Sequence, residues 1–212
     1  MKKSAFVSSW SGGKDSCLAF YYAMQKDMQP EYLLTMIMDK PIFSLKKRIM
    51  LQQAQAINMP IIITKTTQET YENDYIEQLK NIVGEVDSCV FGDIDLEASL
   101  NWNKKLCQAV SLQPYLPLWQ KDRYALVHDF LKLGFKATIV SINNDFLDKK
   151  FLGKELNLNL IEEFTQIGID ICGENGEYHT IVTDGPIFAK PLVWHNKGHT
   201  QYAQYSYLDL EL

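Results

Sequence analysis

The chain has 212 residues, of which 46% are hydrophobic, and a formal net charge of −5. A chain of this length can bury a substantial core, as one large domain or as two small ones. The acidic balance gives no global reason to expect DNA binding, and no apolar run in the sequence approaches the length that spans a bilayer. We therefore expect a globular, cytoplasmic protein with neither DNA nor a membrane among its partners.

The four cysteines contain no Cys-x-x-Cys pair; they are Cys17, Cys89, Cys107 and Cys172. A zinc knuckle and a dithiol relay both require such paired spacing. Buried, reduced thiols are therefore the expected state of these side chains.

The first part of the chain alternates apolar strand patterns with helical patterns. Strands are predicted over 4–10, 32–38, 61–64 and 86–91, and helices over 15–26, 44–58, 71–82 and 96–110. Repeated strand–helix units of this length imply right-handed crossovers and a parallel sheet that is covered on both faces. The sequence predicts a doubly wound, Rossmann-like α/β domain over residues 1–119, with a five-stranded parallel sheet of which these patterns mark four strands.

Residues 120–212 follow a different pattern, which predicts a smaller α+β domain. A helix is predicted over 123–133 and a strand over 137–142, then two short helical segments and a turn-rich, strand-like region over 173–207. The last part of that region alternates around its tyrosines and predicts an exposed sheet edge. Pairing of this edge with a second subunit is a hypothesis for a homo-oligomer.

The hexapeptide SGGKDS, residues 11–16, lies between the first strand and the first helix. In an open parallel sheet, ligands bind at the carboxyl ends of the strands, where this loop is placed. Gly12 and Gly13 can adopt backbone angles closed to other residues, so that successive N–H groups converge on an anion. The N-terminus of the following helix adds free N–H groups and the positive end of its dipole.

The remaining members of the hexapeptide supply polar side chains. Ser11 and Ser16 contribute hydroxyl donors, and Lys14 contributes a mobile cation. Asp15 is repelled by phosphate unless it caps the helix or faces a metal ion, which makes it a candidate Mg²⁺ ligand.

Spacing excludes the two commoner phosphate-binding loops. A Walker A loop needs glycine and Ser/Thr at positions where this chain has Ser8 and Asp15, and the dinucleotide fingerprint needs a third glycine. The hexapeptide instead resembles the PP-loop, the S-G-G-x-D-S signature of the ATP pyrophosphatases. That resemblance implies cleavage of ATP between its α and β phosphates. A tight turn that merely caps a helix is the alternative.

Two further segments carry candidate functional groups. GENGEYHT, residues 173–180, gathers Glu174, Glu177 and His179 on a glycine-containing turn, which can bind magnesium, orient an amine or hold an acceptor. Gly92 and Asp93 follow the fourth strand, at the ligand edge of the sheet, where the carboxylate can meet a nucleotide or a metal-bound water. The alternatives are a polar hairpin turn for the first segment and a helix cap for the second.

Together these segments resemble the diphthine–ammonia ligases and their close relatives. The resemblance extends from residue 5 to about residue 191, through SGGKDS, QAQAINMPI, FGDI, PLW, FLGKEL and CGENGEYHTIVTDGPIF. It implies a reaction in which ATP activates the carboxylate of diphthine, a modified histidine on an elongation factor, and ammonia then displaces AMP to give an amide. The implied cofactors are ATP and Mg²⁺, and the implied partners are ammonium and an acceptor carboxylate.

The resemblance also implies roles for particular residues. Residues 11–16 would bind the ATP phosphates, and we add Gly92 and Asp93 to the nucleotide side. Lys14 would stabilise charge at the α phosphate, and Glu177 or His179 could take a proton from ammonium. The acceptor side would comprise Glu174, Asn175, Gly176, Glu177, Tyr178 and Thr180.

The chain departs from the characterised ligases at the acceptor side. Asn175 and His179 replace a glycine and a glutamate, and MDKPIFSLKK, residues 38–47, replaces a Ser/His-rich stretch. The Asn/His version resembles the bacterial relatives, which leaves a carboxylate other than diphthine open as the acceptor. Two rival functions stay open, a PP-loop tRNA sulfurtransferase and a non-catalytic module that binds ATP or AMP.

Overall fold

The computed structural model describes residues 3–39 and 43–211. The segment 38–47, which departs from the ligase pattern, lies partly outside the described residues. The strands of the described chain are β1 (Ala5–Ser9), β2 (Gln29–Met38), β3 (Ile61–Thr66), β4 (Ser88–Val90), β5 (Gln113–Tyr115), β6 (Lys136–Asn143), β7 (Tyr178–Asp184), β8 (His195–Tyr202) and β9 (Tyr205–Glu211). The α-helices are α1 (Lys14–Gln25), α2 (Phe43–Ala56), α3 (Tyr71–Ile82), α4 (Glu97–Ala109), α5 (Arg123–Lys132) and α6 (Leu158–Ile167).

The chain forms two compact units. The first contains Met1–Ser11 and Asp15–Gln120, and the second contains Gly12–Lys14 and Lys121–Leu212. In the first unit, five parallel strands run in the order β3-β2-β1-β4-β5. The predicted five-stranded, doubly wound α/β sheet is confirmed, as is the smaller α+β arrangement of the second unit.

Alternation along β1 explains why helices pack on both faces of the first sheet. Val7 is buried in a cluster with α3 and α4, which supply Tyr75, Leu79 and Leu106. The ring of Phe6, on the opposite face, lies 5.4 Å from that of Phe20 in α1. Successive side chains of a strand point to opposite faces, so two neighbouring residues place helices on both sides.

The strand order fixes where the first sheet can bind a ligand. The chain runs outward from β1 to β3, then returns to the other side of β1 with β4 and β5. The order therefore reverses between β1 and β4, which is the topological switch point of such a sheet. The loop after β1 is SGGKDS, and the residues after β4 include Gly92 and Asp93.

The second unit is built on an antiparallel four-stranded sheet in the order β7-β6-β9-β8. Aromatic rings from α6 and from the short 3-10 helix Lys149–Phe151 pack beneath it. The ring centroid of Phe164 lies 5.4 Å from that of Phe151 and 5.0 Å from that of Tyr178. This packing anchors the start of β7, and with it the turn that precedes the strand.

Strand β8 is the exposed edge of the second sheet. All eight of its residues are exposed, and its register with β9 shifts between Asn196 and Gly198. A bulge and a lysine, here Lys197, are devices by which natural edge strands resist pairing with other chains. Both features oppose pairing of this strand with another chain, and the homo-oligomer stays a prediction. Within the described ranges, no helix is long and apolar enough to cross a membrane.

Candidate functional site

The PP-loop joins the end of β1 to the start of α1. Gly12 has φ +74°, in the left-handed region where a side chain is strained, so the first glycine of the pair is required by the backbone. The hydroxyl of Ser11 donates to that of Ser16 over 3.1 Å, across the loop and the first helical turn. Helix α1 begins at Lys14, so the N–H groups of its first turn belong to the loop itself.

Gly92 lies against the first turn of α1. A Cβ at this position would be 2.9 Å from both the carbonyl carbon of Asp15 and the amide nitrogen of Ser16. Such distances are not found for real side chains, so only glycine lets the chain after β4 approach the helix this closely. The structure therefore shows a close backbone approach by Gly92 at the switch point, and its predicted part in nucleotide binding stays a prediction.

Asp93, next in the chain, has its carboxylate held from α4. The Nδ2 of Asn103 donates to Oδ2 of Asp93 over 2.7 Å, and Asn103 is 2% exposed. Burial and then the negative charge of Asp93 raise the pKa of the nearby Tyr71. A buried amide thus fixes the carboxylate that follows β4.

Lys14 connects the PP-loop to the GENGEYHT segment within the second unit. Its Nζ donates to the carbonyl of Cys172 and lies 5.7 Å from the ring centroid of Tyr178. Its backbone N–H donates to Oγ1 of Thr180 over 3.2 Å. The carbonyl of Gly12 accepts from the amide of Val182 over 2.8 Å. The two motifs that the sequence singled out are therefore in direct contact.

Two carboxylates shape the turn before β7. Oδ1 of Asp170 accepts from the amide of Cys172 over 3.1 Å, and Oδ2 accepts from that of Glu174 over 2.7 Å. Glu177, 3% exposed, accepts from the amide of Asp170 and from both the backbone N–H and Nδ2 of Asn175, each over 3.1 Å. The turn is thus closed by side chains of its own segment.

Gly173 is the tightest point of the turn. It has φ +73°, and a Cβ there would be 2.9 Å from the carbonyl oxygen of Tyr178 and 3.1 Å from its ring. The hydroxyl of Tyr178 donates to the carbonyl of Ile171 over 2.5 Å. Tyr178 therefore packs directly against the turn, and any residue other than glycine at position 173 would clash with it.

We expect Gly173→Ala to destabilise the protein by about 2–4 kcal/mol, since it adds a steric clash to left-handed strain. Gly168→Ala is the matched control, because Gly168 has φ +83° with nothing within 4 Å of a built Cβ. That control should lose only about 1 kcal/mol, from backbone strain alone. Urea unfolding of the two variants measures the difference, and equal losses would contradict the proposed clash.

The remaining predicted acceptor residues fall in different environments. Thr180 and Tyr178 both contact Lys14, so His179 between them points to the opposite face of β7, where it is exposed. Asn175 is exposed, and Glu174 and Gly176 are half-buried. The structure therefore brings Thr180 and Tyr178 to Lys14 and places His179 on the other side of the strand.

Three residues that hold other groups in place were not predicted from the sequence, namely Asn103, Arg123 and Asp170. Asn103 orients Asp93, and Arg123 forms an ion pair with Asp170 over 2.6 Å. These residues lie 10 and 47 positions from their partners, so no local pattern connects them. Asp170 stands just before CGENGEYHT, and a carboxylate so close to a glycine-rich turn was an available signal.

The acidic groups of the described chain do not form a metal cage. No group of three or more His, Cys, Asp or Glu side chains within residues 3–39 and 43–211 is arranged to hold a metal ion. Mg²⁺ usually keeps several waters and is bound through one or two carboxylates together with substrate phosphates. Single carboxylates beside the PP-loop, such as Asp15 and Asp93, fit that mode of binding.

Comparison with known proteins gives two family matches that together cover most of the chain. The model described as "Diphthamide synthase N-terminal domain" matches residues 2–114, and the one described as "Diphthamide synthase C-terminal domain" matches residues 122–211. The diphthine–ammonia ligase of Mus musculus is 30% identical over 132 residues, which cover 58% of this chain and 49% of that protein. That of Danio rerio is 35% identical over 94 residues, covering 42% of this chain and 37% of that protein.

The matches thus span about half, or less, of the length of these two relatives. Among solved structures, a "predicted subunit of tRNA methyltransferase" from Methanocaldococcus jannaschii is similar with a TM-score of 0.48 and 13% identity, covering 89% of this chain and 100% of that one.

The family model of the N-terminal domain alone covers more than half of the sequence. The chain therefore belongs to the diphthamide synthase family.

Proposed function

We propose that this protein is an ATP-dependent ligase that adenylates an acceptor carboxylate, releases pyrophosphate, and transfers ammonia to give an amide and AMP. The contact between Lys14 of the PP-loop and the turn before β7 carries this proposal. It puts the cation expected to meet ATP phosphates beside the segment expected to meet the acceptor. Family membership and the relatives named diphthine–ammonia ligase support the same conclusion.

The phosphate side uses backbone and side-chain donors. The amides of Gly12 and Gly13, the first N–H groups of α1 and the hydroxyls of Ser11 and Ser16 would retain the β and γ phosphates. The ammonium of Lys14 would stabilise the charge that develops at the α phosphate as pyrophosphate leaves. Donors fixed in this way need little reorganisation during the reaction.

Magnesium would arrive with the nucleotide. Asp15 and Asp93 are the residues we assign to it, because each is a carboxylate at the loops that follow β1 and β4. When bound, Mg²⁺ would neutralise charge on the phosphate oxygens. The hydrogen bond from Asn103 would keep the carboxylate of Asp93 in one orientation.

The acceptor reaction needs activation because hydroxide is a poor leaving group from a carboxylate. Attack of the acceptor oxygen on the α phosphate forms an acyl–adenylate and breaks the bond to pyrophosphate. Ammonia then attacks the acyl carbon, the bond to AMP breaks, and the proton from nitrogen passes to a base. One ATP, one carboxylate and one ammonia are consumed for each amide, AMP and pyrophosphate formed.

The turn would hold the acceptor, and we assign different roles to its residues. Glu177 already accepts three hydrogen bonds from the turn, so we assign it to shaping the turn rather than to proton transfer. His179 is exposed on the far face of β7 from Lys14, so a role for it would be in recognition of the acceptor. Thr180 and the half-buried Glu174 are the side chains we place nearest the acceptor.

The test measures AMP and pyrophosphate formed from ATP, Mg²⁺ and ammonium with a panel of acceptors. The panel contains an elongation factor bearing diphthine, the unmodified factor and small carboxylates. Acceptor-dependent formation of AMP and pyrophosphate in equal amounts is the expected result. ATP binding without turnover on any acceptor would favour the non-catalytic module, and pyrophosphate release that depends on tRNA would favour the sulfurtransferase.

Thiol chemistry gives a further prediction that separates the ligase from the sulfurtransferase. All four cysteines are buried, and burial raises the pKa of Cys17 and of Cys89, which keeps both thiols neutral. We expect iodoacetamide at pH 8 to leave the native protein unlabelled over a time in which the urea-unfolded protein is labelled at every cysteine. Fast labelling of one native thiol, located by mass spectrometry, would contradict this and support sulfur transfer.

A further inference from the structure

A largely buried ion pair lies behind the turn that receives Lys14. Nη1 of Arg123, at the start of α5, is 2.6 Å from Oδ2 of Asp170, and the two side chains are 28% and 8% exposed. Burying a carboxylate is costly unless charged and hydrogen-bonding partners surround it. Asp170 obtains them from Arg123 and from the amides of Cys172 and Glu174. The proposed reaction assigns no step to either member of the pair.

The peptide group between Cys172 and Gly173 links this ion pair to Lys14. Its N–H donates to the main-chain carbonyl of Asp170 over 3.0 Å. In a trans peptide the C=O points away from the N–H, so this bond aims the carbonyl of Cys172 in the opposite direction. That carbonyl is the group that accepts from Nζ of Lys14. The side chain of Asp170 fixes the same turn through the amides on either side of this peptide.

We propose that Asp170, anchored by Arg123, is a positioning residue for Lys14. It holds the turn in the one conformation that presents the Cys172 carbonyl to the ammonium, 5.7 Å from the ring centroid of Tyr178. Without the carboxylate, the amides of Cys172 and Glu174 lose their acceptor and the turn relaxes. Lys14 then loses its defined position. The inference rests on the proposed function only for the task that Lys14 performs.

The first experiment reads the position of Lys14 in ligand-free protein. Reductive methylation of each lysine is followed by peptide mass spectrometry in wild type, Asp170→Ala and Asp184→Ala. Asp184 is the matched control, since it forms an ion pair with Lys136 over 3.2 Å at the other end of β7. Labelling of Lys14, which is 6% exposed, should accelerate at least about tenfold in Asp170→Ala and stay within about twofold in the control.

A folded Asp170→Ala variant whose Lys14 is labelled at the wild-type rate overturns the proposal. Should Asp170→Ala fail to fold by circular dichroism, Arg123→Met replaces it, because that variant keeps the carboxylate and removes its charged partner. Faster labelling of Lys14 alone, with other lysines unchanged, is then required. Unchanged labelling in folded Arg123→Met overturns the proposal in the same way.

The second experiment is a double-mutant cycle on ATP affinity, measured by calorimetry with Mg²⁺ present. Asp170→Ala should weaken ATP binding about tenfold when Lys14 is present, and should add nothing in a Lys14→Met background. Equal losses in both backgrounds would mean that Asp170 acts through general loosening, which overturns the positioning role. If wild type binds no ATP, the proposed function fails, while the labelling experiment still decides the present inference.

Discussion

Lys14→Met should reduce acceptor-dependent formation of AMP and pyrophosphate by about a hundredfold to a thousandfold, the usual cost of removing one preorganised donor to a developing charge. Methionine keeps most of the volume of the buried lysine stem and removes only the ammonium. The amides of Gly12 and Gly13 remain, so ATP should still bind, more weakly. The loss should therefore appear mainly in kcat, which a pyrophosphate-release assay measures directly.

Lys26→Met is the matched control for this prediction. Lys26 follows the last turn of α1 and is exposed, so it carries the same charge near the same helix without contacting the PP-loop. Its substitution should leave both kcat and thermal stability unchanged. Activity in Lys14→Met equal to that of Lys26→Met would remove Lys14 from the mechanism and, with it, the observation that carries the proposed function.

The first sheet was predictable from the sequence because its signals are local. Alternating strand and helix patterns indicated four of the five strands, and SGGKDS indicated the loop after β1. The fifth strand, Gln113–Tyr115, has three residues and contains a proline, so no periodicity marks it. It exists because its neighbour β4 offers a free edge at the side of the sheet. Pairing with a neighbour, rather than local preference, decides a strand this short.

The site was predictable in its members but not in its contacts. The spacing of GENGEYHT indicated a polar turn, yet nothing in the sequence shows that Lys14 donates to the carbonyl of Cys172. That contact joins residues 158 positions apart and uses a backbone group, which every residue has. Likewise, the three donors to Glu177 are visible only in the folded turn. Roles assigned from residue type alone therefore shift when the partners become known.

The other large effect is expected from Gly92→Ala. The added Cβ would meet the backbone of Asp15 and Ser16 at 2.9 Å, and backbone atoms cannot rotate away as the end of a side chain can. The chain after β4 and the first turn of α1 must therefore separate by a few tenths of an ångström. We expect a loss of about 1–3 kcal/mol in the free energy of unfolding, the usual cost of overpacking.

The same displacement should weaken ATP binding, which distinguishes a functional glycine from one needed only for packing. The first N–H groups of α1 belong to the PP-loop, and misplacing such donors by fractions of an ångström weakens phosphate binding.

Gly84→Ala is the control for Gly92→Ala, because neither glycine has a positive φ and a Cβ on Gly84 meets nothing within 4 Å. Calorimetric ATP titration and urea unfolding of both variants test the two effects separately. If Gly92→Ala binds ATP as tightly as Gly84→Ala while unfolding more easily, the close approach at the switch point serves the fold alone. Loss of both together ties the end of β4 to the phosphate site, because the atoms nearest to a side chain added there belong to the first turn of α1.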